Sequence, residues 1–255
     1  MKRRGALEKA FALLEELSRA PEDWRPLGDL ATATRLPHPT CAHVLRKLVE
    51  LHYAEQDGPR GGYRLGPMPH YLTRHGAYRR DLVAAAQPHM ARLARDTGGT
   101  AVLAALVHGR RLTLCRIEGG GALRVDETIG LGANAYGTPT GRVLLAHATP
   151  DQVELFVEEN GLPGDAWPEA RDRDGLDRAL AEIRRHGGCL AVCRPEIGAA
   201  ACVVREGERT VAALGVYLPV FRFRGRQRTK IQDRLQRAAA DIAADLQNRL
   251  KGTQP

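Results

Sequence analysis

Three stretches near the start of the chain carry apolar residues at the three- and four-residue spacing of an amphipathic helix. The first covers residues 6–19, and the second covers residues 27–34, where Pro26 suits a helix start. The third begins at Pro39 and ends near His52. The apolar positions are Leu7, Phe11, Leu14 and Leu17 in the first stretch and Cys41, Val44, Leu45, Leu48 and Leu51 in the third. Two short helices joined by a brief turn, the second of them amphipathic, predict a helix-turn-helix.

Residues 53–65 have the pattern of a short β-hairpin. Residues 53–56 and 62–65 favour strands, and the Asp-Gly-Pro-Arg-Gly sequence between them favours a turn. A hairpin directly after the second helix of a helix-turn-helix is the wing of a winged helix. Arg60 would lie at the tip of this wing and Arg64 on its return strand.

The third helix has the composition expected of a helix that reads DNA. Such a helix fits the major groove, and residues near its N-terminal end reach the base edges. If the apolar stripe is buried, five polar side chains are left facing outward: His38, Thr40, His43, Arg46 and Lys47. The cations can neutralise phosphates or donate to guanine, and a wing arginine can contact phosphate or the minor groove. The alternative interpretation is a winged helix that binds protein or mediates dimerisation.

A connector and a second domain follow the wing. Pro67 and Pro69 interrupt the chain, and residues 82–95 then predict a helix with Pro88 inside it, where we expect a kink or a restart. This helix can link two domains and offer a dimer contact, or it can belong wholly to the second domain. We therefore expect a winged helix-turn-helix over residues 1–75, a linker helix over 76–98 and a second domain over 99–255.

The second half of the chain mixes strands with helices. A helix is predicted from Thr138-Pro139 to residue 146, another begins after a Thr149 N-cap, and Asp174 can cap a helix that ends at residue 186. A long amphipathic helix over residues 229–250 closes the chain. Strand-like stretches cover residues 100–107, 112–117, 123–129, 189–193, 199–204 and 210–217. The pattern predicts an α+β domain in which helices flank a sheet.

The composition fits a globular chain of one large or two ordinary domains. The 255 residues are 43% hydrophobic and 27% charged, with a formal net charge of +8. The basic excess lies at the two ends. The alternating basic residues of the stretch 222–230 indicate either a second contact with DNA or an acidic partner, or a solvated helix start. No run of about 18 apolar residues is present, so we expect no membrane span and a cytoplasmic protein.

The five cysteines do not predict a disulfide framework, a metal site or catalysis. Their number is odd, and Cys189 and Cys193 have no second pair to complete a zinc site. Cys202 lies in an apolar strand segment, whereas a reactive cysteine needs a base or a cation beside it. No phosphate-binding loop is present either. We expect no catalytic residue, metal or cofactor, and a thiol enzyme based on Cys202 is the minor alternative.

The order of elements and several motifs resemble the IclR family of bacterial transcriptional regulators. The motifs are Leu36-Pro37, Thr40, Leu45, Leu48-Val49-Glu50-Leu51 and Tyr53 in the first domain, Tyr63-Arg64-Leu65-Gly66 in the wing, and Gly137-Thr138, Gly141-Arg142-Val143-Leu144-Leu145-Ala146, Leu180-Ala181-Glu182-Ile183-Arg184, Gly187, Glu196, Gly198, Cys202 and Val211-Ala212-Ala213-Leu214-Gly215-Val216 in the second. The resemblance implies a winged helix-turn-helix, a linker helix and a GAF-like domain that binds a small-molecule effector. It also implies a homodimer, or a pair of dimers, on double-stranded operator DNA.

The segment from Tyr136 to Thr140 is the predicted centre of the effector site. The start of a helix presents free backbone N–H groups and a partial positive charge, which suit an anion such as a carboxylate. Hydroxyls of Tyr136, Thr138 and Thr140 can add contacts beside Gly137, and Arg124 or Arg194 can pair with the carboxylate. The resemblance implies that Glu196 and Cys202 line the opposite side of the same pocket.

Several positions depart from the family's common pattern. The recognition helix begins His38-Pro39-Thr40 where the family commonly has lysine-serine-threonine, and His43 replaces a common arginine. Loss of one arginine–guanine fork removes about 1–3 kcal/mol of base discrimination. We therefore expect a different operator, or more reliance on DNA shape. Tyr136 stands where a histidine is common, which leaves the effector chemistry open.

Overall fold

The structure is a computed structural model that describes residues 5–73, 79–107, 110–120 and 135–252. The chain divides into two units, an N-terminal unit of residues 1–77 and a C-terminal unit of residues 78–255. The predicted strand over residues 123–129 and the candidate Arg124 lie outside the described residues. Among the described helices, none is both long and apolar enough to cross a membrane.

The N-terminal unit is a small helical domain with a β-hairpin. Its core is formed by residues of the first three helices, among them Leu17, Leu30 and Leu45, each with no exposed surface. Arg35 ends the second helix in the left-handed conformation, and Leu36-Pro37 leads into the third. The elements are α1 (Ala6–Leu17), α2 (Leu27–Thr34), α3 (His38–Glu50), β1 (Ala54–Gln56), β2 (Tyr63–Leu65) and α4 (Pro67–Thr73). This arrangement confirms the predicted winged helix-turn-helix.

The apolar stripes and the prolines of this unit were predicted only in part. In α1 the predicted Leu17 is buried together with Leu13, which was not predicted, whereas Leu7 and Phe11 are 74% and 61% exposed. Leu51 follows the end of α3 and is 59% exposed. Pro67 and Pro69 do not leave an irregular segment. Both lie in the first turn of α4, where a proline costs no intrahelical hydrogen bond.

The C-terminal unit is a five-stranded antiparallel sheet covered on both faces by helices. The strand order is β4-β3-β7-β6-β5. The helices α5 and α9 cover one face, and α6 and α8 cover the other. The elements are α5 (Arg80–Thr97), β3 (Thr100–Val107), β4 (Arg110–Glu118), α6 (Pro139–Ala146), α7 (Pro150–Asn160), α8 (Arg173–His186), β5 (Gly188–Arg194), β6 (Ile197–Glu206), β7 (Arg209–Pro219) and α9 (Gly225–Gly252). The predicted α+β fold is therefore confirmed.

The helix expected to link the domains packs within the C-terminal unit. The apolar face of α5, with Leu82, Ala86 and Met90, is buried in the core that α9 and the sheet complete. The helix continues through Pro88 without a restart. At α8 the expected cap was wrong by two residues. The carboxylate of Asp172, rather than Asp174, accepts a hydrogen bond from the Gly175 N–H at 2.7 Å.

Candidate functional site

The helix α3 separates a buried face from a polar one. Cys41, Leu45 and Leu48 are buried against α1 and α2. The side chains predicted to face outward do so, because the helical period turns them away from this core. His38, His43, Arg46 and Lys47 are exposed, and Thr40 is partly exposed. The ammonium of Lys47 donates to the carboxylate of Glu50 at 2.7 Å on the surface, where such a pair contributes little.

The hairpin presents one of its two predicted arginines to solvent. Arg60 lies exposed in the turn between β1 and β2. Arg64 on β2 lies over the ring of Trp24 at 4.3 Å and donates to Glu55 through Nε and Nη2, at 2.9 and 2.8 Å. The guanidinium of Arg64 therefore stabilises the wing itself, whereas that of Arg60 is open to an external anion.

In the C-terminal unit, the start of α6 is held by its own side chains. The hydroxyl of Thr138 accepts a hydrogen bond from the N–H of Gly141 at 3.2 Å, which is the N-cap interaction expected at a helix start. A Cβ atom at Gly141 would lie 2.2 Å from the carbonyl oxygen of Ala135, so the backbone approach needs a glycine. By contrast, a Cβ at Gly137 would meet no atom within 4 Å. Thr138 is thus used in capping, while space is open beside Gly137.

Thr140 joins two buried polar side chains that the sequence did not single out. Its hydroxyl accepts a hydrogen bond from Nε of Arg111 at 2.8 Å and lies 3.0 Å from the hydroxyl of Tyr217. The residues come from three elements, α6, β4 and β7, and Arg111 is only 3% exposed. We call Arg111, Thr140 and Tyr217 the buried triad. Burial raises the pKa of the Tyr217 hydroxyl, while Arg111 and the hydrogen bond with Thr140 act in the opposite direction.

Small and apolar residues surround the buried triad. Tyr217 packs with Val102, Ile197 and Ala199 on the face of the sheet. At Gly215, a Cβ atom would lie 2.5 Å from the Thr140 methyl, so this glycine lets α6 approach β7. A cation held in apolar surroundings attracts an anion more strongly than one in water. Together with two hydroxyls, it offers the charge and hydrogen-bonding groups that a carboxylate requires.

Three other predicted effector residues lie apart from the buried triad. Tyr136 is buried against Phe156, and its hydroxyl donates to the carbonyl of Gly161 at 3.0 Å. Glu196 is exposed in the turn between β5 and β6. Cys202 does not lie beside the buried triad, because alternation along β6 directs its side chain to the opposite face of the sheet. There its thiol lies 3.6 Å from the carbonyl of Leu235 on α9.

The sequence carried weak signals for the two triad members it failed to identify. Two adjacent arginines, Arg110 and Arg111, begin a strand, and the two-residue period must direct one of them inward. Tyr217 ends a strand rich in small apolar residues, so its hydroxyl needs a buried partner. Neither signal names that partner, because Thr140 is distant in sequence from both residues.

Cys202 is the cysteine on which the alternative of a thiol enzyme would depend. Burial raises the pKa of the Cys202 thiol to about 12, which disfavours the reactive thiolate. Among the described residues, no group of three or more His, Cys, Asp or Glu side chains is arranged to hold a metal ion.

A winged helix with an exposed basic helix, followed by a sheet domain with a buried polar cluster, defines the class of ligand-responsive DNA-binding regulators. Both units also match the sequence models of known domains. Residues 6–58 match the IclR helix-turn-helix domain, and residues 75–244 match the domain described as bacterial transcriptional regulator IclR C-terminal. The chain belongs to the IclR family of transcriptional regulators, as its motifs indicated.

The similar proteins include curated regulators and solved structures. The chain is 30% identical over 181 residues to the HTH-type transcriptional regulator TtgV of Pseudomonas putida, across 71% of this chain and 68% of that protein. It is 24% identical to the regulator KdgR of Escherichia coli, across 93% and 91% of the two chains. An IclR homolog from Microbacterium hydrocarbonoxydans, solved with 4-hydroxybenzoate, has the same fold, with a TM-score of 0.74, 24% identity and coverage of 96% and 100%.

Proposed function

We propose that this regulator reads operator DNA with the exposed face of α3 and with Arg60 of the wing. The observation that carries the proposal is the division of α3 into a buried apolar face and an exposed face with His43, Arg46 and Lys47. The N-terminal residues of such a helix reach base edges, while cations further along contact phosphate. Thr40 and His38, at the first turn, would contact bases. Arg64 would contribute by stabilising the wing through its hydrogen bonds with Glu55.

The direct test is a gel-shift titration with DNA from the promoter region of the protein's own gene, with random DNA as competitor. Replacing Arg46 by Ala should weaken specific binding by about 1–3 kcal/mol, roughly 5- to 150-fold, if this arginine forms a fork with guanine. The matched control is Arg178→Ala, which removes an exposed cation on α8 and should leave binding unchanged. Wild-type DNA affinity in Arg46→Ala would favour the alternative of a protein-binding winged helix.

For the effector, the buried triad supports a small molecule with a carboxylate. Arg111 supplies the charge, and the hydroxyls of Thr140 and Tyr217 supply directed hydrogen bonds. The aromatic carboxylate bound by the Microbacterium homolog is consistent with such an effector. Gly137 is where a larger ligand would find room, and Thr138 acts by holding the start of α6. Glu196 and Cys202 have no part in this proposal.

A thermal-shift screen of paired ligands tests the effector class. Each carboxylate, beginning with 4-hydroxybenzoate, is compared with its neutral methyl ester. A ligand that binds only the native state raises its stability, by about 2.7 kcal/mol at a hundredfold excess over Kd. We expect stabilisation by acids whose esters have no effect, and its loss in Tyr217→Phe. A screen in which esters and acids stabilise equally would contradict a carboxylate effector.

We expect a homodimer, since operators read by a helix-turn-helix pair two half-sites with a twofold protein. The exposed Leu7 and Phe11 on α1 offer an apolar surface for it. Sedimentation equilibrium checks this, and a monomer throughout the micromolar range would contradict it. The protein would act in the cytoplasm, where its DNA lies, and without catalysis.

A further inference from the structure

A basic cavity lies at the C-terminal end of α5, apart from the buried triad. It has a volume of about 690 Å³ and is lined by three arginines from three segments: Arg95 of α5, Arg222 after β7, and Arg234 of α9. All three are exposed, and Asp96 is the single acidic residue of the described lining. Arg222 belongs to the basic stretch 222–230, to which the proposed function assigns no role.

The contacts of these arginines leave much of their hydrogen-bonding capacity open. Arg234 donates through Nη1 to the backbone carbonyl of Asp96 at 2.6 Å, which uses one of its five N–H groups. Among the described residues, neither Arg95 nor Arg222 forms an ion pair with a carboxylate. Three like charges around one cavity repel each other, and a bound anion would relieve that repulsion.

The backbone at Gly98, which lines the cavity, leaves room for a guanidinium group. A Cβ atom at Gly98 would lie 2.5 Å from Nη1 of Arg222, so the arginine packs closely against this glycine. Gly98 also has a φ of 65°, the left-handed conformation that favours glycine at a helix C-terminus. Beside it, Phe221 is 70% exposed and offers an aromatic surface at the edge of the cavity.

From these observations we propose that the cavity binds the phosphate group of a small phosphorylated molecule. Arginine is suited to phosphate because its planar fork donates two parallel hydrogen bonds, and three such forks match a dianion with several oxygens. The volume exceeds the needs of phosphate alone, so Phe221 would contact the organic part. The site is distinct from the effector site and does not depend on the effector proposal.

The competing explanation is that the arginines only neutralise the negative end of the α5 dipole. Under that explanation, Arg222→Ala lowers thermal stability, and no anion binds selectively. Under the proposal, pyrophosphate binds the wild-type chain at an ionic strength held constant with chloride. Loss of one charged hydrogen-bond donor should raise its Kd about tenfold or more.

The experiment measures pyrophosphate and inorganic phosphate binding to the full chain by calorimetry. Arg95→Ala and Arg222→Ala should each weaken binding, and either variant alone suffices if the other fails to fold. The matched control, Arg226→Ala, removes an exposed cation of the same stretch that does not line the described cavity, and should bind as wild type. Equal losses in the control, or no binding in the wild type, would overturn the proposal.

A binding measurement with DNA distinguishes the two possible sources of the phosphate group, a small molecule and the DNA backbone. If Arg95→Ala and Arg222→Ala weaken binding of a random DNA duplex while pyrophosphate does not bind, the small-molecule proposal is overturned and these arginines contact the DNA backbone. Specific operator binding and its loss in Arg46→Ala are measured separately, so failure here does not imply failure of the proposed function.

Discussion

At the residue scale, Thr140 matters most because its hydroxyl bonds to both other members of the buried triad. Valine has the same shape as threonine but leaves the Arg111 Nε–H and the Tyr217 hydroxyl without this partner. An unsatisfied buried polar group costs about 1–3 kcal/mol, and more beside a charge. We therefore predict that Thr140→Val destabilises the C-terminal unit by at least this amount.

The measurement is urea unfolding followed by Trp167 fluorescence. Trp24→Phe is used as background because the chain has 2 tryptophans and this change leaves the one in the C-terminal unit. Thr210→Val on β7 is the matched control, since Thr210 is only partly buried and forms none of the described side-chain hydrogen bonds. Equal effects of the two valines would show that the triad contributes nothing particular to stability.

At the element scale, α5 and α9 pack their apolar faces together, and the side chain of His89 on α5 adds a polar contact with α9. Nε2 of His89 lies 2.8 Å from a carboxylate oxygen of Asp245, whereas Nδ1 lies 3.6 Å from Asp241. The two carboxylates are 45% and 49% exposed, so solvent screens them alike. Only the shorter contact is within hydrogen-bonding distance.

Asp241 serves as the control for Asp245, because both carboxylates face His89 and only Asp245 lies within hydrogen-bonding distance of it. We predict that Asp245→Ala destabilises the C-terminal unit by about 1 kcal/mol, the usual net value of one hydrogen bond, and that Asp241→Ala costs clearly less. The same Trp167 unfolding experiment measures both variants. A larger loss in Asp241→Ala would mean that the contact of α5 with α9 depends on the pair Asp241–Arg92, at 4.0 Å, rather than on Asp245.

Elements were more predictable from sequence than the contacts between them. The bounds of α2 and β3 agree with prediction because their ends carry strong signals, Pro26 and the Gly98-Gly99 pair. The polar face of α3 followed from its period alone. The buried triad did not, because Arg111, Thr140 and Tyr217 meet only when the sheet and α6 are assembled. The position of Cys202 could not be predicted for a related reason. A motif identifies a strand, but the pairing of the whole sheet decides which face a residue occupies.

At the scale of the whole molecule, the chain has an IclR helix-turn-helix unit, to which we assign the reading of DNA, and an IclR C-terminal unit, to which we assign the binding of a small anion. A regulator needs the two to be coupled: the ligand must change the affinity for DNA, and DNA must change the affinity for the ligand by the same factor. Such coupling typically amounts to about 1–3 kcal/mol, or roughly 5- to 150-fold. Coupling between the two binding events, rather than either event alone, is therefore what a ligand-responsive regulator requires.

The most direct measurement is operator affinity, by fluorescence anisotropy, with and without a saturating carboxylate from the paired screen. We predict that the carboxylate changes the Kd for operator DNA at least about fivefold in the wild type. In Tyr217→Phe, the ligand-free Kd should be unchanged and the response to the same ligand concentration reduced or lost. An operator affinity that no bound carboxylate alters, or a full response in Tyr217→Phe, would contradict the account.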